Sequence, residues 1–353
     1  MKGLVVVEDI PGEARWGGSS WPAASAQVAN KPIIHHVLER LASLGITEAV
    51  IASSTANASE VRECLDARDD REGLTLVYVQ RRAPLDLAGA LQLAGPIVGG
   101  MPCIAHLANG LLGEPLHPLL ERLSDDVANV VVTVHSGHGP HRHLSAATQE
   151  MLHLAELFPE RAALSMAGVY LFGPRALSRV STTSWRAGSD TDLTTVAELV
   201  SAARGQLEVL AADAWRAYAG DPLDLLELNR IVLDGLEIDH RHPSSNGNRI
   251  EGRVSIHDHA SVRGSVIVGP AVIGSGAQIV DAYIGPYTSI GTGARIHGAE
   301  VERSIIAAGA SIMHIGGRLA ASVVGRDARI VRDFSLPRAL RLQVGDGTEV
   351  ALS

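Results

Sequence analysis

The stretch IGPYTSIG, at residues 284–291, decides the fold of the C-terminal third of this chain. It carries two isoleucines six positions apart, and each is followed by glycine. Apolar residues recur with the same spacing of six within successive groups: Ile250, Ile256 and Val262; Ile267, Ile273 and Ile279; Ile284, Ile290 and Ile296; Ile306 and Ile312; and Val324 and Ile330. This period predicts a β-helical solenoid, in which each apolar residue stacks on its equivalent one coil away. We expect the solenoid to span residues 250–335 and a tail to follow at 336–353.

Residues 1–240 follow a different pattern, in which short β-branched runs alternate with amphipathic stretches. One helix is predicted to begin at Pro32, because apolar residues follow it at helical spacing. The alternation is typical of βαβ units and predicts an α/β domain with a mostly parallel sheet, joined to the solenoid by a linker at 241–249. Ligands of such sheets lie outside the carboxyl ends of the strands. The loops concerned follow Val7, Val79, Leu107 and Val134.

The composition limits the environment and the partners of the chain. It has 353 residues, of which 46% are apolar and 20% charged, which excludes wholesale disorder. The net charge is −9 and no block of Lys or Arg occurs, so neither nucleic acid nor an anionic membrane is an expected partner. Cys64 and Cys103 lack metal-ligand spacing, which suits a reducing compartment. With no long apolar segment, we expect a cytoplasmic protein.

Several short motifs, spread over nearly the whole chain, point to one family. They lie at residues 28–32, 83–85, 87–88, 168–170, 224–227, 229–230, 281–291 and 337–342. In wording and order they resemble the sugar-1-phosphate nucleotidyltransferases, and most closely the long form of glucose-1-phosphate thymidylyltransferase. The resemblance implies a nucleotidyltransferase-type, Rossmann-like mixed sheet followed by a left-handed parallel β-helix of hexapeptide repeats. It also implies a place in a sugar or natural-product biosynthetic pathway and, because such solenoids pack against their own copies, a homo-oligomer.

The loop after the first strand departs from the pattern of the resembled family. There the family carries Gly-Gly-x-Gly-Thr-Arg-Leu-x-Pro and a later Lys, which present N–H groups and cations to the nucleotide phosphates. A gap-free alignment places Glu8 and Asp9 at the two leading glycines, Glu13 at the arginine and Ala23 at the lysine. Glu8, Asp9 and Glu13 are therefore candidate catalytic acids for a different reaction. The alternative is that a decayed loop has accepted polar residues without a role.

The positions that hold Mg²⁺ and read the base in the resembled family are also changed. The two metal-binding aspartates correspond to Asn109 and Tyr218, whereas Mg²⁺ on a triphosphate prefers anionic oxygens. Arg81 replaces a base-reading Gln, and Asp86 replaces a Gly that lets the base lie close. We therefore expect no metal site and no cofactor.

Other candidate binding residues come from segments that border the same predicted cleft. Asp190 and Asp192 lie where the resembled family uses a Glu on sugar hydroxyls, so a polyhydroxylated ligand is expected. His138 belongs to a histidine-rich loop, residues 135–143, which is compatible with a solvated loop as well as with an acid/base role. The whole candidate binding set is Arg15, Arg81, Asp86, His106, Asn109, His138, Asp190, Asp192, Arg216 and Tyr218.

Two hypotheses follow for the function. In the first, nucleotidyl transfer is lost, and the chain is either a metal-free acid/base enzyme for a neutral or cationic, sugar-like substrate or a regulatory pseudoenzyme with an active nucleotidyltransferase paralogue as partner. An acidic loop supports this, since like charges about 4 Å apart repel by roughly 4 kcal/mol at an effective dielectric of ~20. In the alternative, it remains a glucose-1-phosphate thymidylyltransferase, which converts dTTP and glucose 1-phosphate to dTDP-glucose and pyrophosphate. Arg15, Arg81 and Arg216 would then bind phosphate and Mg²⁺ would be required.

Overall fold

A computed structural model describes residues 1–9, 22–67, 73–122, 130–136, 164–180, 192–204, 207–212, 214–237, 247–332 and 334. These residues fall into two compact units. The first unit contains residues 1–9, 22–25 and the described part of 33–219, and the second contains residues 26–32 and the described residues from 220 onward. The sequence-based boundaries at 240 and 249 stay a prediction, because residues 238–246 lie outside the described ranges.

The bounds of the elements are as follows. The strands before residue 220 are β1 (Lys2–Val7), β2 (Gln27–Val28), β3 (Lys31–Pro32), β4 (Glu48–Ser54), β5 (Thr75–Arg81), β6 (Cys103–Leu107), β7 (Gly110–Leu112), β8 (Val130–Ser136), β9 (Leu164–Phe172), β10 (Leu207–Ala212) and β11 (Trp215–Ala217). The helices are α1 (Ile33–Ser43), α2 (Ala58–Asp66), α3 (Leu87–Val98), α4 (His117–Arg122), α5 (Pro174–Ser178), α6 (Asp192–Ala203) and α7 (Pro222–Asp234), with a 3-10 turn at Ala23–Ser25. The remaining strands are β12 (Arg249–Glu251), β13 (Val254–Ile256), β14 (Ser261–Arg263), β15 (Val266–Val268), β16 (Ala271–Ile273), β17 (Gln278–Val280), β18 (Tyr283–Ile284), β19 (Thr288–Ile290), β20 (Arg295–His297), β21 (Glu300–Glu302), β22 (Ile305–Ile306), β23 (Ser311–Met313), β24 (Arg318–Ala320), β25 (Val323–Val324) and β26 (Arg329–Val331).

The first unit is built on a seven-stranded sheet with the order β10-β8-β9-β6-β1-β4-β5. Strand β9 runs antiparallel to both of its neighbours, and the other pairs are parallel, so the predicted mixed, mostly parallel sheet is confirmed. Its central strands are apolar along their length, and Leu4, Val5, Ile51 and Ile104 are fully buried. Continuous apolar runs of this kind are typical of a parallel sheet covered on both faces.

The carboxyl ends of four parallel strands meet at one edge of this sheet. Val7 of β1 pairs with Ser53 of β4, and Ser54 of β4 pairs with Arg81 of β5. On the other side of β1, Val6 pairs with Leu107 of β6. We call this edge, formed by the ends of β1, β4, β5 and β6 and the residues that follow them, the strand-end edge.

In the second unit, the strands from β12 onward form three five-stranded parallel sheets. Each sheet stacks one row of the six-residue repeat, as when Ile256 pairs with Ile273, Ile273 with Ile290 and Ile290 with Ile306. The stacked isoleucines are buried and form the core of the unit. The predicted stacking is thereby confirmed, and the arrangement is consistent with a β-helix.

One row of the solenoid contains members that the six-residue spacing does not mark. The sheet that begins with Ile250 and Ile267 continues through Ile284, Val301 and Leu319. Partners in this row lie 17 positions apart until Val301, and Leu319 follows after 18. The longer segment, between Val301 and Leu319, contains Gly316 and Gly317 just before β24.

Among the helices of the described ranges, none is long and apolar enough to cross a membrane.

Candidate functional site

Asp9, directly after β1, connects three segments at the strand-end edge. Its Oδ1 accepts hydrogen bonds from the Ser54 hydroxyl at 2.7 Å and from Nδ2 of Asn57 at 2.9 Å. Its Oδ2 accepts one from the backbone N–H of Leu85 at 2.8 Å. The carboxylate thus links the ends of β1 and β4 to the loop before α3. A carboxylate with this many donors is a structural cross-link, and one backbone N–H that faces the edge is already used by it.

Arg81 ends β5, and Asp86 lies directly before α3, next to Leu85, whose N–H donates a hydrogen bond to Asp9. Asp86 caps this helix, because its Oδ1 accepts a hydrogen bond from the N–H of Gly89 at 2.8 Å. Nη1 of Arg81 is 3.9 Å from the same carboxylate oxygen. A Cβ at Gly89 would displace the Arg81 guanidinium from its present position. Among the described residues of the edge, Arg81 is thus a partly exposed cation whose charge Asp86 partly neutralises.

Asn109 and Tyr218, the two positions that correspond to metal-binding aspartates, are neighbours in the structure. The backbone N–H of Tyr218 donates to the backbone carbonyl of Asn109 at 2.7 Å. The Oδ1 atom of Asn109 is buried and has no hydrogen-bond partner in the described part of the chain. The resemblance implies this juxtaposition, but the pair supplies only a neutral amide and a phenol.

These residues do not fit a Mg²⁺ ion that carries a triphosphate. Mg²⁺ in such sites is held by one or two carboxylates together with phosphate oxygens. Neither Asn109 nor Tyr218 is anionic, and within the described ranges no three His, Cys, Asp or Glu side chains are close enough to hold a metal ion. The donor set therefore gives no basis for a reaction step that uses the metal.

His106, in β6, is fully buried beneath the strand-end edge. Its Nδ1 lies 2.7 Å from the backbone carbonyl of Leu107, which can only accept, so the ring proton is on Nδ1. The pKa of His106 is lowered to about 3, chiefly by burial and also by the nearby Arg40 cation, against the opposing effect of the hydrogen bond to the Leu107 carbonyl. The imidazole is neutral at physiological pH. Its predicted part in ligand binding stays a prediction.

Trp215, which the sequence analysis did not single out, packs beside His106 with 5.9 Å between the ring centroids. Its indole also covers Gly168, whose φ of +49° favours glycine and where a Cβ would collide with the ring. Gly168 begins one of the family motifs, so the packing gives that motif a physical reason. Little in the sequence points to Trp215, because it lies outside the six-residue repeat and outside the quoted family motifs.

The other predicted site residues divide into those the structure describes and those it does not. Glu8 is partly buried after β1, and Arg216 lies in β11, where it pairs with Leu111 of β7. Asp192 begins α6, but its side chain is not described. Glu13, Arg15, His138 and Asp190 lie outside the described residues. Ser54, Asn57 and the N–H of Leu85, by contrast, contribute to the edge without having been predicted.

Comparisons with known proteins identify relatives of the whole chain. Residues 22–235, more than half of the chain, match the family described as nucleotidyl transferase. The chain is 28% identical to Agl11, a low-salt glycan biosynthesis nucleotidyltransferase of Haloferax volcanii, over 100% of both chains. It is 29% identical to a glucose-1-phosphate thymidylyltransferase of Streptomyces antibioticus, over 92% of each.

A solved structure from Bacillus anthracis, named as a glucose-1-phosphate thymidylyltransferase in complex with sucrose, has a similar fold. The TM-score is 0.54 at 17% identity, and the match covers 67% of this chain and 97% of the other. The order of strands, the family match and the full-length relatives agree with the resemblance drawn from the motifs. This chain therefore belongs to the nucleotidyl transferase family, among the sugar-1-phosphate nucleotidyltransferases.

Proposed function

We propose that this protein is a member of the family that has lost standard nucleotidyl transfer and acts as a regulatory, ligand-binding subunit in a sugar or natural-product biosynthetic pathway. The observation that carries the proposal is that Asn109 and Tyr218 are neighbours and that neither is a carboxylate, at the two positions that the resemblance assigns to metal-binding aspartates. Loss of one preorganised charge-stabilising group commonly costs about 10²–10³ in rate, and here two such groups are changed at once.

The contacts of Asp9 support the regulatory branch over a metal-free acid/base enzyme. A general base needs a lone pair that is available to the substrate, and Asp9 directs its oxygens to Ser54, Asn57 and Leu85. The same carboxylate puts a negative charge at the end of β1, where the family's glycines would receive phosphates. The family match begins only at residue 22, which leaves the segment of the altered signature outside it.

The ligand that fits this edge is neutral and polyhydroxylated. In the described part of the edge, a neutral amide and a phenol can form hydrogen bonds with hydroxyl groups, and the partnered Asp9 carboxylate adds negative charge, so several phosphate charges find little compensation there. Arg81 is the exception, and its distance of 3.9 Å to Asp86 reduces the charge that it offers. A homo-oligomer and an active nucleotidyltransferase paralogue as partner are further parts of this proposal.

The first experiment measures pyrophosphate release by the full chain with dTTP or another nucleoside triphosphate, glucose 1-phosphate and Mg²⁺. The proposal predicts no release above that of buffer. Robust turnover would overturn the proposal and favour the alternative, an active nucleotidyltransferase in which Arg15, Arg81 and Arg216 are expected to bind phosphate. A calorimetric titration with neutral sugars and nucleotide sugars then tests the ligand-binding role, which predicts saturable heat for at least one of them.

A second experiment restores the carboxylates. The variant Asn109→Asp with Tyr218→Asp places two acids on neighbouring backbone positions, so it is expected to bind Mn²⁺, measured by the loss of the free-ion paramagnetic resonance signal. The matched control is Asn248→Asp with Tyr283→Asp in the solenoid, which makes the same change in charge elsewhere. Equal Mn²⁺ binding by the unaltered protein and the restored variant would contradict the assignment of the metal position.

A further inference from the structure

The hairpin of β2 and β3 belongs to the solenoid unit, although its neighbours in sequence do not. Residues 22–25 before it and α1 directly after it are part of the first unit, whereas residues 26–32 group with the described residues from 220 onward. Val28 pairs with Lys31 and Gln27 with Pro32, which leaves a two-residue turn at Ala29 and Asn30. The second unit therefore contains a short insertion that interrupts the chain of the first.

The turn of this hairpin has a conformation that its sequence does not favour strongly. Ala29 has φ of +46° and Asn30 has φ of +65°. Two-residue hairpin turns with both residues left-handed prefer Asn-Gly or Asp-Gly, and the Cβ of alanine is unfavourable at the first position. An isolated two-stranded hairpin is also marginal in water. Contacts from outside the hairpin are thus needed to hold it.

Asn229 supplies these contacts from α7. It is fully buried on the apolar face of the helix, beside Leu225 and Leu228. Its Oδ1 accepts hydrogen bonds from the backbone N–H of Ala29 at 2.8 Å and from the Ser289 hydroxyl at 2.6 Å. One amide oxygen thereby joins the turn of the hairpin to the solenoid strand β19.

The other half of the Asn229 amide and the hairpin itself add two more links to the same coil. Nδ2 of Asn229 donates to the backbone carbonyl of Tyr287 at 3.1 Å. Nδ2 of Asn30 donates to the backbone carbonyl of Ile290 at 2.7 Å. The two left-handed residues of the turn are thus tied, one through Asn229 and one directly, to residues 287–290. A polar residue on an apolar helix face would be unfavourable without such partners.

We infer that Asn229 is a positioning residue that couples the solenoid coil at 287–290 to the hairpin, so that the solenoid sets the conformation of the segment entering α1. The coupling is independent of whether the cleft transfers nucleotidyl groups, and so it goes beyond the proposed function. A partner that shifts this coil would shift the hairpin with it, because the same amide holds both.

Hydrogen exchange of the full chain, followed by mass spectrometry, tests the coupling. In Asn229→Ala the amide of Ala29 loses its acceptor, and we expect exchange in peptides covering residues 26–32 to become faster by about tenfold or more. Peptides covering β5, at the outer edge of the seven-stranded sheet, serve as the internal reference. Two milder variants, Ser289→Ala and Asn30→Asp, each remove one side-chain donor and keep a residue compatible with the local backbone, and they are expected to give smaller accelerations confined to the same peptides.

The matched control is Asn248→Ala. Asn248 also joins two backbone segments, since it donates to the Val262 carbonyl and accepts from the Ser265 N–H, but it does not contact the hairpin. This variant is expected to accelerate exchange in the first coils and leave residues 26–32 unchanged. The inference is overturned if all three coupling variants leave hairpin exchange unaltered relative to the reference peptides, or if Asn248→Ala accelerates it equally.

Discussion

The solenoid and the strand-end edge hold their residues in place in opposite ways. In the solenoid, one solution is repeated, as Ile279, Ile296 and Ile312 stack in register with the same neighbours above and below. At the strand-end edge the polar contacts differ from residue to residue: Asp9 accepts from a hydroxyl, a side-chain amide and a backbone N–H, whereas His106 donates to a backbone carbonyl. Repetition thus distributes stability over many equivalent residues, whereas the arrangement of the edge depends on individual hydrogen bonds.

The largest expected effect is in the solenoid core. Ile296 is fully buried between Ile279 and Ile312, so Ile296→Ala removes apolar contacts and leaves a cavity in a closely packed row. We expect a loss of about 2–5 kcal/mol in the free energy of unfolding, measured by denaturant titration. Val331→Ala in β26, on a partly exposed residue, is the control and should change it by less than about 0.5 kcal/mol. Equal effects would mean that the solenoid lacks a defined core.

The next largest effect is expected from acid, which should lower the free energy of unfolding through His106, below the strand-end edge. Because the pKa of His106 is about 3 in the folded protein and near 6.5 when unfolded, only the unfolded chain takes up this proton as pH falls below 6.5. The contribution of neutral His106 to the free energy of unfolding is therefore fully present above pH 6.5 and is lost progressively toward pH 3. The expected loss is about 2 kcal/mol by pH 5. The measurement is the unfolding free energy against pH, in which His106→Leu should flatten the slope. His117→Leu, at an exposed histidine, should not, and a slope unchanged in His106→Leu would contradict the account.

A smaller effect is expected from the cross-link at the end of β1. Asp9→Ala leaves the N–H of Leu85 and the side chains of Ser54 and Asn57 without their acceptor, and water replaces it only in part. We expect a loss of about 1–2 kcal/mol in thermal or denaturant unfolding. Asp258→Ala, on an exposed turn of the solenoid, provides the charge-matched control with an expected change below about 0.5 kcal/mol. Equal losses of unfolding free energy in Asp9→Ala and Asp258→Ala would contradict the prediction, because they would mean that the Asp9 carboxylate does not stabilise the fold.

The smallest effect is expected on the surface of the solenoid. Arg318 pairs with Glu300 and Glu302, and these contacts raise its pKa although it is exposed. Exposed ion pairs contribute little because water and salt screen them. Arg318→Gln should leave the unfolding midpoint unchanged within error. A clear drop would show that the surface charges, rather than the repeated core, stabilise the outer coils.

How much the sequence predicts differs between the two regions for a physical reason. The rows of the solenoid follow from a spacing that recurs. Two members of one row, Val301 and Leu319, were not marked by it, and Leu319 follows after 18 positions instead of 17. The mixed sheet follows from apolar runs and from the family motifs. The sequence also indicates that acids stand at the end of β1. It does not indicate that Asp9 is bonded to Ser54, Asn57 and the N–H of Leu85, because these partners lie far apart in sequence and follow no period.

For the same reason, the hydrogen-bond partners of Asn229 could not be predicted from the sequence. Its place on the apolar face of α7, next to Leu225 and Leu228, is a signal that a buried polar contact exists. The identity of the partners, Ala29 and Ser289, depends on the folded chain alone.

We propose that the strand-end edge no longer binds a magnesium-bound triphosphate. Calorimetric titration of the full chain with dTTP and Mg²⁺ measures this binding, at low ionic strength where electrostatic effects are least screened. With an aspartate at position 9 and no carboxylate at Asn109 or Tyr218, we predict no saturable heat up to millimolar dTTP. Saturable binding in the micromolar range that disappears when Mg²⁺ is chelated would contradict the account.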